Sequence, residues 1–391
     1  MKSDSCRDVE GKMARKICMF NIGDIYGKQT GGIKRFKELY FHLRNCGYSV
    51  DLYCASSKDV LKQNGINEPQ TLNLTGKHKG FLGIPSHAIY LNNKDLYKKI
   101  KANNYDCVIS FDVPSTIGLC LSEIKNIVYF VRQDLISYKK IQYKDLGMSR
   151  MKIQCLLFAA WVMEGVCSDK ANTIITQCQF DLNQITKRHP LIKGRIKAKS
   201  KIQINNINPS WIVSDSEETK TSEKQYDLIF IGNFDDTRKG YKLFLDALDV
   251  LHGKGLRYSA VMLGEGQQLA ACKKKYMMQG KIIFTGFVKN PEEYIKKSRL
   301  MVVPSYADSC PNTIMESLQI GVPVIGANSS GIPEILNNQN WRFDLAPEAL
   351  SEKIQQVFTG NNLRQYSESQ AKRAYELTFD WGEAIERIMF A

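Results

Sequence analysis

The chain has no C-x-x-C pair among its 11 cysteines, and no cysteine spacing joins its 5 histidines into a metal-type set. That argues against a zinc module and against a dithiol redox centre. Cys18, Cys54, Cys107 and Cys120 sit inside apolar runs, as reduced core thiols do. No apolar run approaches the roughly 20 residues of a membrane span. The start, MKSDSCRDVEGKMARK, is polar and lacks the apolar core of a secretory signal. These absences predict a cytoplasmic protein. There is no internal repeat beyond α/β alternation, and no low-complexity tract. Acid is in deficit: 40 Asp and Glu face 54 Lys and Arg, for a net charge of +14. Such a balance suits nucleic acid, an anionic membrane face or a polyanionic substrate. The sharpest basic cluster is KRHPLIKGRIKAKSK, Lys187 to Lys201, and no RNA or DNA motif accompanies it. A peripheral contact with the cytoplasmic face of an anionic membrane is the functional reading of that stretch. A solvated linker face is the plain one.

What is present is a chain of 391 residues, 43% hydrophobic and 24% charged, long enough for two domains with separate cores. Short apolar runs alternate with helical patterns throughout. Lys16 to Ile22 reads as a buried strand, followed by a loop that ends in Gly31-Gly32. A helix pattern (Ile33 to Asn45), Gly47 and a second strand (Tyr48 to Ala55) come next. Strand, loop, helix, strand is how a doubly wound α/β domain begins. Further strands are predicted at Tyr105 to Ser110, Asn126 to Val131 and Ala171 to Gln177. Asp112, Arg132 and Asp134 then fall at strand carboxyl ends, where a second substrate would lie. Met151 to Val166 reads as a core helix. Ser214 to Lys224 (SDSEETKTSEK) carries no apolar residue and reads as a linker. A second alternation starts at Asp227 (DLIFIG), ends its first strand at Gly232, and leads through Asn233 and Arg238-Lys239 into a helix, Tyr241 to Leu251. Two cations before a helix N-terminus oppose its dipole, so a bound anion would rationalise them; a solvated helix start is the alternative.

The most informative stretch is Val302 to Ile335, VVPSYADSCPNTIMESLQIGVPVIGANSSGIPEI. It reads as strand, polar loop, short helix from Thr313 to Ile320 capped by Asn312, and strand. Asp308 lies before the helix and Glu316 one turn inside it. The backbone N–H groups near Asn312, Thr313 and Ile314 stand at the positive helix end, which holds phosphate well. Amides for a pyrophosphate flanked by carboxylates for hydroxyl groups suit a nucleotide sugar. An ordinary surface loop is the competing reading.

The pattern D-x7-E from Asp308 to Glu316, with G-x-P-V-I and G-x-P-E-I after it, resembles the C-terminal signature of the retaining GT-B glycosyltransferases of the GT4 family (glycosyl transferases group 1). That family has Glu at the first position, where this chain has Asp308. The resemblance covers about residues 16 to 391 and is strongest over 228 to 335. It implies α/β domains of GT-B architecture, two Rossmann-like doubly wound units facing across a cleft. It implies catalytic roles for Asp308, Glu316, Lys239 and Arg238, with Lys239 at the family lysine and Asn233 where the family has arginine. Donor contacts would come from Gly31, Gly32, Gly232, Asn233, Phe287, Val288, Pro311, Asn312 and Thr313, with Phe287 and Val288 beside the base. Asp112, Arg132 and Asp134 are the acceptor candidates. The turn Asn205 to Pro209 resembles the family's interdomain turn, with Asn206 in a left-handed position usually held by glycine.

These readings predict a polar extension (1–15), an acceptor domain (16–210, with a final helix at 378–391 packing back onto it), a linker (211–226) and a donor domain (227–377). The expected reaction moves a sugar from a UDP- or GDP-sugar to a glycan or lipid-linked acceptor, in polysaccharide or glycoconjugate synthesis, with no cofactor beyond that co-substrate and no nucleic acid. No Asp-x-Asp pair stands at a strand end, so no metal is expected. A catalytically inactive nucleotide-binding subunit and a GT-B nucleotide-sugar epimerase are the alternatives.

Overall fold

The computed structural model describes residues 15–27, 31–66, 70–74, 85–207, 223–276 and 281–390. Expectations placed on the extension, on Asn208 and Pro209, and on most of the linker lie outside the described residues. The chain forms two compact units. Unit one is Met1–Ile136, Gln154–Gln203 and Gly382–Ala391; unit two is Ser137–Ile153 and Ile204–Trp381.

Unit one carries seven strands: β1 (Lys16–Phe20), β2 (Ser49–Cys54), β3 (Gln70–Thr71), β4 (Cys107–Phe111), β5 (Ile127–Val131), β6 (Thr173–Thr176) and β7 (Ser200–Ile202). They lie in the order 3-2-1-4-5-6-7, all parallel. Strands buried on both faces should be apolar throughout rather than alternating. β5, IVYFV, is buried at every position, as is β4. The helices that matter here are α1 (Gly31–Asn45), α2 (Asp112–Leu121), α3 (Leu135–Asp145, which groups with unit two from Ser137 on), α4 (Arg150–Lys170, in unit one from Gln154 on) and α5 (Gln179–Arg188). α1 puts Phe36, Leu39, Tyr40 and Leu43 into the core on a 3.6-residue period.

Unit two carries β8 (Tyr226–Ile231), β9 (Ala260–Leu263), β10 (Ile282–Gly286), β11 (Ser298–Val303), β12 (Val324–Ala327) and β13 (Arg342–Phe343), with α6 (Tyr241–Gly253) and α7 (Asn312–Ile320). The order is 10-9-8-11-12-13, again all parallel. Numbered within the unit this is 3-2-1-4-5-6, the doubly wound order of dinucleotide-binding sheets. Its winding direction reverses between β8 and β11, so the crevice beyond their carboxyl ends is where a ligand is expected. In unit one the same reversal falls between β1 and β4.

The last helix, α8 (Trp381–Phe390), joins unit one from Gly382 onward. There Glu386 accepts from Tyr48 Oη at 2.8 Å and pairs with His42 Nε2 at 3.2 Å, while Phe390 stacks on Tyr48.

Several expectations need correction. Gly31 and Gly32 are the first residues of α1, not the end of a loop. Asn312 is the first residue of α7 rather than its cap; Pro311 takes the N-cap position with extended backbone. Asn206 is not among the residues with positive φ, and its side chain instead donates to the Phe379 carbonyl at 2.5 Å. Ser137–Ile153 groups with unit two, not with unit one. α4 is a core helix on one side only: Ala160 and Cys167 belong to the core of unit one, with Met163 and Val166 packed against it. By length and composition alone it could cross a membrane, and within it only Ala160, Glu164, Cys167 and Ser168 are buried.

Candidate functional site

In unit two, the carboxyl ends of β8 and β11 bring three of the predicted catalytic side chains together. β8 ends at Ile231, and a turn through Asn233 leads to a short 3-10 helix, Thr237–Lys239. β11 ends at Val303, and the loop after it carries Asp308 to the start of α7. Lys239 Nζ donates to Asp308 Oδ2 at 2.5 Å. Arg238 Nη1 stands 3.8 Å from the same oxygen and donates to the Ala307 carbonyl at 2.7 Å. Its Nη2 donates to Asp236 Oδ2 at 2.9 Å. Arg238 is buried, while the side chains of Asp308 and Lys239 are 12% and 26% exposed.

The electrostatics follow from that packing. Burial alone would raise the Asp308 carboxyl. Lys239 and Arg238, with a hydrogen bond from the Cys310 backbone, outweigh it and hold Asp308 below its ordinary range. Burial likewise opposes the charge on Arg238, and Asp308 and Asp236 more than restore it. Two cations and two carboxylates thus balance one another beside the helix N-terminus.

Backbone geometry makes the approach tight. Gly240 has φ +76°, and a Cβ there would lie 1.9 Å from the Pro304 carbonyl oxygen, so only glycine lets the β8 turn meet the β11 loop. Gly264 has φ +141°, and its Cβ would lie 1.8 Å from the Gly232 carbonyl oxygen. Gly232 itself donates to Leu263 O at 3.0 Å. The Asn233 side chain accepts from Asp235 N at 2.7 Å, which fixes the turn. The loop is further pinned by Tyr306 N to Arg238 O at 2.8 Å and by Gly331 N to Asp308 O at 3.2 Å.

α7 starts at this loop. Asn312 and Thr313 occupy its first two positions, where a backbone N–H has no acceptor within the helix. Ile314 N, in contrast, is given to Pro311 O at 3.1 Å. Asn312 Oδ1 accepts from Asn205 Nδ2 at 2.9 Å, and the same amide reaches Cys310 O at 3.2 Å. Glu316 lies half-buried one turn into α7. Phe287 is 69% exposed after β10, and Val288 packs partly against the unit's core.

Two neighbours of this cluster carry no signal in the sequence. Tyr138, on α3, lies under the Arg238 guanidinium, with its ring centroid 5.1 Å away. Asp145, at the end of α3, accepts from Thr237 Oγ1 at 2.7 Å and from Thr237 N at 3.2 Å. Both lie about a hundred residues before the turn they support, so no local pattern marks them. Asp236 also belongs to the cluster, through its pair with Arg238.

In unit one, Asp112 follows β4 directly and starts α2 at φ +63°. Arg132 follows β5, and its guanidinium pairs with Asp112, Nε donating to Oδ2 at 2.8 Å. The Arg132 side chain lies over Gly32, where a Cβ would fall 0.7 Å from Nη1. Gly32, Asp112 and Arg132 therefore meet at the carboxyl ends of the central strands. Asp134 does not join them: it is buried and pairs with Arg188 at 2.5 Å, which in turn binds Glu164 through Nε at 2.7 Å. Among the described residues, His42, Cys46 and Glu386 place metal-ligand-type atoms within 4.8 Å of one another, and none of the predicted site residues is among them.

Known proteins give the following likenesses. Residues 214–374 match the family model described as "Glycosyl transferases group 1". An uncharacterized glycosyltransferase of Methanocaldococcus jannaschii is 28% identical over 178 residues, 42% of this chain and 42% of that protein. A Campylobacter jejuni enzyme named as an α-1,4-N-acetyl-D-galactosaminyltransferase acting on a diNAcBac-PP-undecaprenol-linked glycan is 25% identical over 174 residues, 43% of this chain and 48% of that protein. The chain thus matches less than half the length of either relative. Among solved structures, Anabaena HepE, crystallised with UDP and glucose, superposes with a TM-score of 0.68 at 14% identity, covering 96% of this chain and 100% of that one. The fold is GT-B.

Proposed function

We propose that the chain is a retaining, metal-independent glycosyltransferase that moves a sugar from a nucleoside-diphosphate sugar to a glycan or lipid-linked acceptor in glycoconjugate or polysaccharide synthesis. The observation that carries this reading is the Lys239–Arg238–Asp308 cluster at the start of α7, in the crevice between β8 and β11. A diphosphate seated at the α7 N-terminus would meet Lys239, with Arg238 behind it. As the anomeric C–O bond to phosphate breaks, the electron pair leaves on the diphosphate, and these cations and the amides of Asn312 and Thr313 stabilise it. The acceptor hydroxyl adds from the same face, and its proton passes to the departing phosphate oxygen. Glu316 would accept the ribose hydroxyls and Asp308 would orient the donor sugar. Asp235 and Asp236 are engaged in the fold, with Gln267 N at 2.6 Å and with Arg238, which supports assigning charge neutralisation to the basic residues instead. The relatives' names and the UDP of the Anabaena structure support the substrate class. The cytoplasmic face of a membrane is the proposed place of action.

Two observations favour an inactive nucleotide-binding subunit instead: Lys239 is paired with Asp308, and the Asn233 side chain is tied into its own turn. The discriminating experiment measures nucleoside-diphosphate release from UDP-, GDP- and ADP-sugars with chelator present, wild type beside Glu316→Ala, with candidate acceptors. Release from one donor that is lost in the variant supports the enzyme. Nucleotide binding with no release from any donor–acceptor pair would leave the subunit reading.

A further inference from the structure

We propose that the outward face of α4, together with the turn at Leu191, is a docking surface for an anionic lipid bilayer. Cys155, Phe158 and Val162 recur at i, i+3 and i+7 along α4, all exposed, with Trp161 beside them. Phe158 is 64% exposed and stacks on Trp161 at 5.7 Å. Leu191 is 98% exposed, at the tip of the short turn Pro190–Ile192. Helix and turn are one surface. Trp161 Nε1 donates to Arg188 O at 3.1 Å, and its ring stacks on His189 at 5.4 Å. An open cavity of about 290 Å3 lies between them, lined by Trp161, Val162, Val166 and Ile192 among others.

An apolar stripe of this kind is a contact site rather than scattered exposure. Its charge indicates the partner. Lys187, Lys193, Lys197 and Lys201 are exposed along the stretch that frames the turn. The acidic groups of this region are neutralised: Asp169 pairs with Arg195 at 2.7 Å, and Glu164 is buried against Arg188 and His189. Apolar side chains ringed by lysines fit a headgroup layer, where the rings and Leu191 enter the acyl boundary and the ammonium groups meet anionic lipid. A span across the bilayer is excluded by the other side of α4, where Ala160, Cys167 and Ser168 pack into unit one around the Glu164 ion pair. The surface does not depend on the transferase reading.

The test is flotation of the full chain with vesicles of phosphatidylcholine, alone or mixed with phosphatidylglycerol. Wild type should float with the mixed vesicles and not with phosphatidylcholine alone, and the emission of Trp161 should shift to the blue. Trp161→Phe should lose that shift. Lys193→Gln/Lys197→Gln should weaken binding about 30-fold, at roughly fivefold per charge. Leu191→Glu, at a fully exposed turn position that leaves folding intact, should weaken it about tenfold or more. Absence of flotation, or flotation equal in all variants, overturns the proposal. So does a concentration-dependent dimer that Leu191→Glu dissociates without any vesicle binding, since the occupant would then be a second copy. Donor turnover in solution by Leu191→Glu should equal wild type, so failure here and failure of the transferase reading are separable.

Discussion

Asp308→Asn should tighten binding of the free nucleoside diphosphate while lowering turnover. The two effects separate because Asp308 plays two parts in the proposed reaction. Without ligand it is the counterion of Lys239 at 2.5 Å. An incoming diphosphate must draw Lys239 away from that carboxylate. Two unit charges about 4 Å apart at an effective dielectric of about 20 interact by about 4 kcal/mol. Lys239 is 26% exposed, and Arg238 stays near Asp308 after Lys239 leaves, so less than half of that opposes binding. About 1–2 kcal/mol remains, a factor of roughly 5–30 in Kd. Asparagine keeps the shape and removes this competition. It also removes the carboxylate that would orient the sugar, so transfer should fall by about a hundredfold or more, in the range of a lost transition-state contact. Calorimetric titration with UDP and GDP, in chelator, measures the first effect; donor turnover measures the second. Equal or weaker diphosphate binding in a variant that is folded by circular dichroism would refute the argument that Lys239 serves the phosphate.

Three further outcomes follow from the geometry. Asp308 has a depressed pKa, so its contribution to stability is fully present above the unfolded value of about 3.9 and is lost as pH falls through the lower folded value; urea unfolding of wild type and Asp308→Asn should differ by a constant amount from about pH 5 to 8, and the gap should close below about pH 4. Gly264→Ala forces a Cβ to 1.8 Å from the Gly232 carbonyl at a φ that L-residues rarely adopt, and should cost about 3 kcal/mol; an unchanged melting temperature would show that the turn yields freely. Glu164→Gln leaves the partly buried Arg188 with one carboxylate, Asp134, and takes the charge from the partner of the buried His189, and should cost about 3 kcal/mol in denaturant unfolding, whereas a loss under about 1 kcal/mol would mean that Asp134 alone satisfies Arg188.

Parallel strands buried on both faces must be apolar throughout, so β1, β4, β5, β8 and β11 announce themselves as short runs of Val, Ile, Leu and Phe. The strands with weak local signals are β3 and β13, two residues each, which exist because a neighbour offers a ladder edge. Glycine marked the turns that need it: Gly240 and Gly264 are held by close approach to another backbone. Asp308, Glu316, Arg238 and Lys239 were legible because each stands within a few residues of a strand end or helix start. Tyr138 and Asp145 were not, since what places them is the passage of the chain into unit two within α3. The α4 misreading has a different cause. Composition reports how apolar a helix is and not what covers it, and only the packing of Ala160, Glu164, Cys167 and Ser168 shows which side faces in.

The same distinction bears on the basic stretch from Lys187 to Lys201. As sequence it is a run of charge whose plain reading is a solvated linker. In the fold it is structured: Lys193–Lys199 is helical, Ile196 is buried, and Lys199 Nζ donates to the carbonyls of Asp169 and Ala171 at 2.6 and 2.7 Å, at the carboxyl end of α4. A cation at that end also meets the negative pole of the helix. Part of the charge run therefore fastens the turn to α4, and the remaining lysines are held beside the apolar stripe rather than scattered along a flexible tether. Charge held in place beside exposed apolar side chains is what a surface-bound helix requires, and a mobile linker of equal charge would lack the second component. Scrambling the exposed lysines within 187–201 while keeping Lys199, Arg195 and Ile196 should thus preserve the fold and the net charge yet change vesicle affinity by only about twofold, since lipid headgroups read charge density rather than order; Leu191→Glu, with one apolar tip removed, should do more damage than the whole scramble.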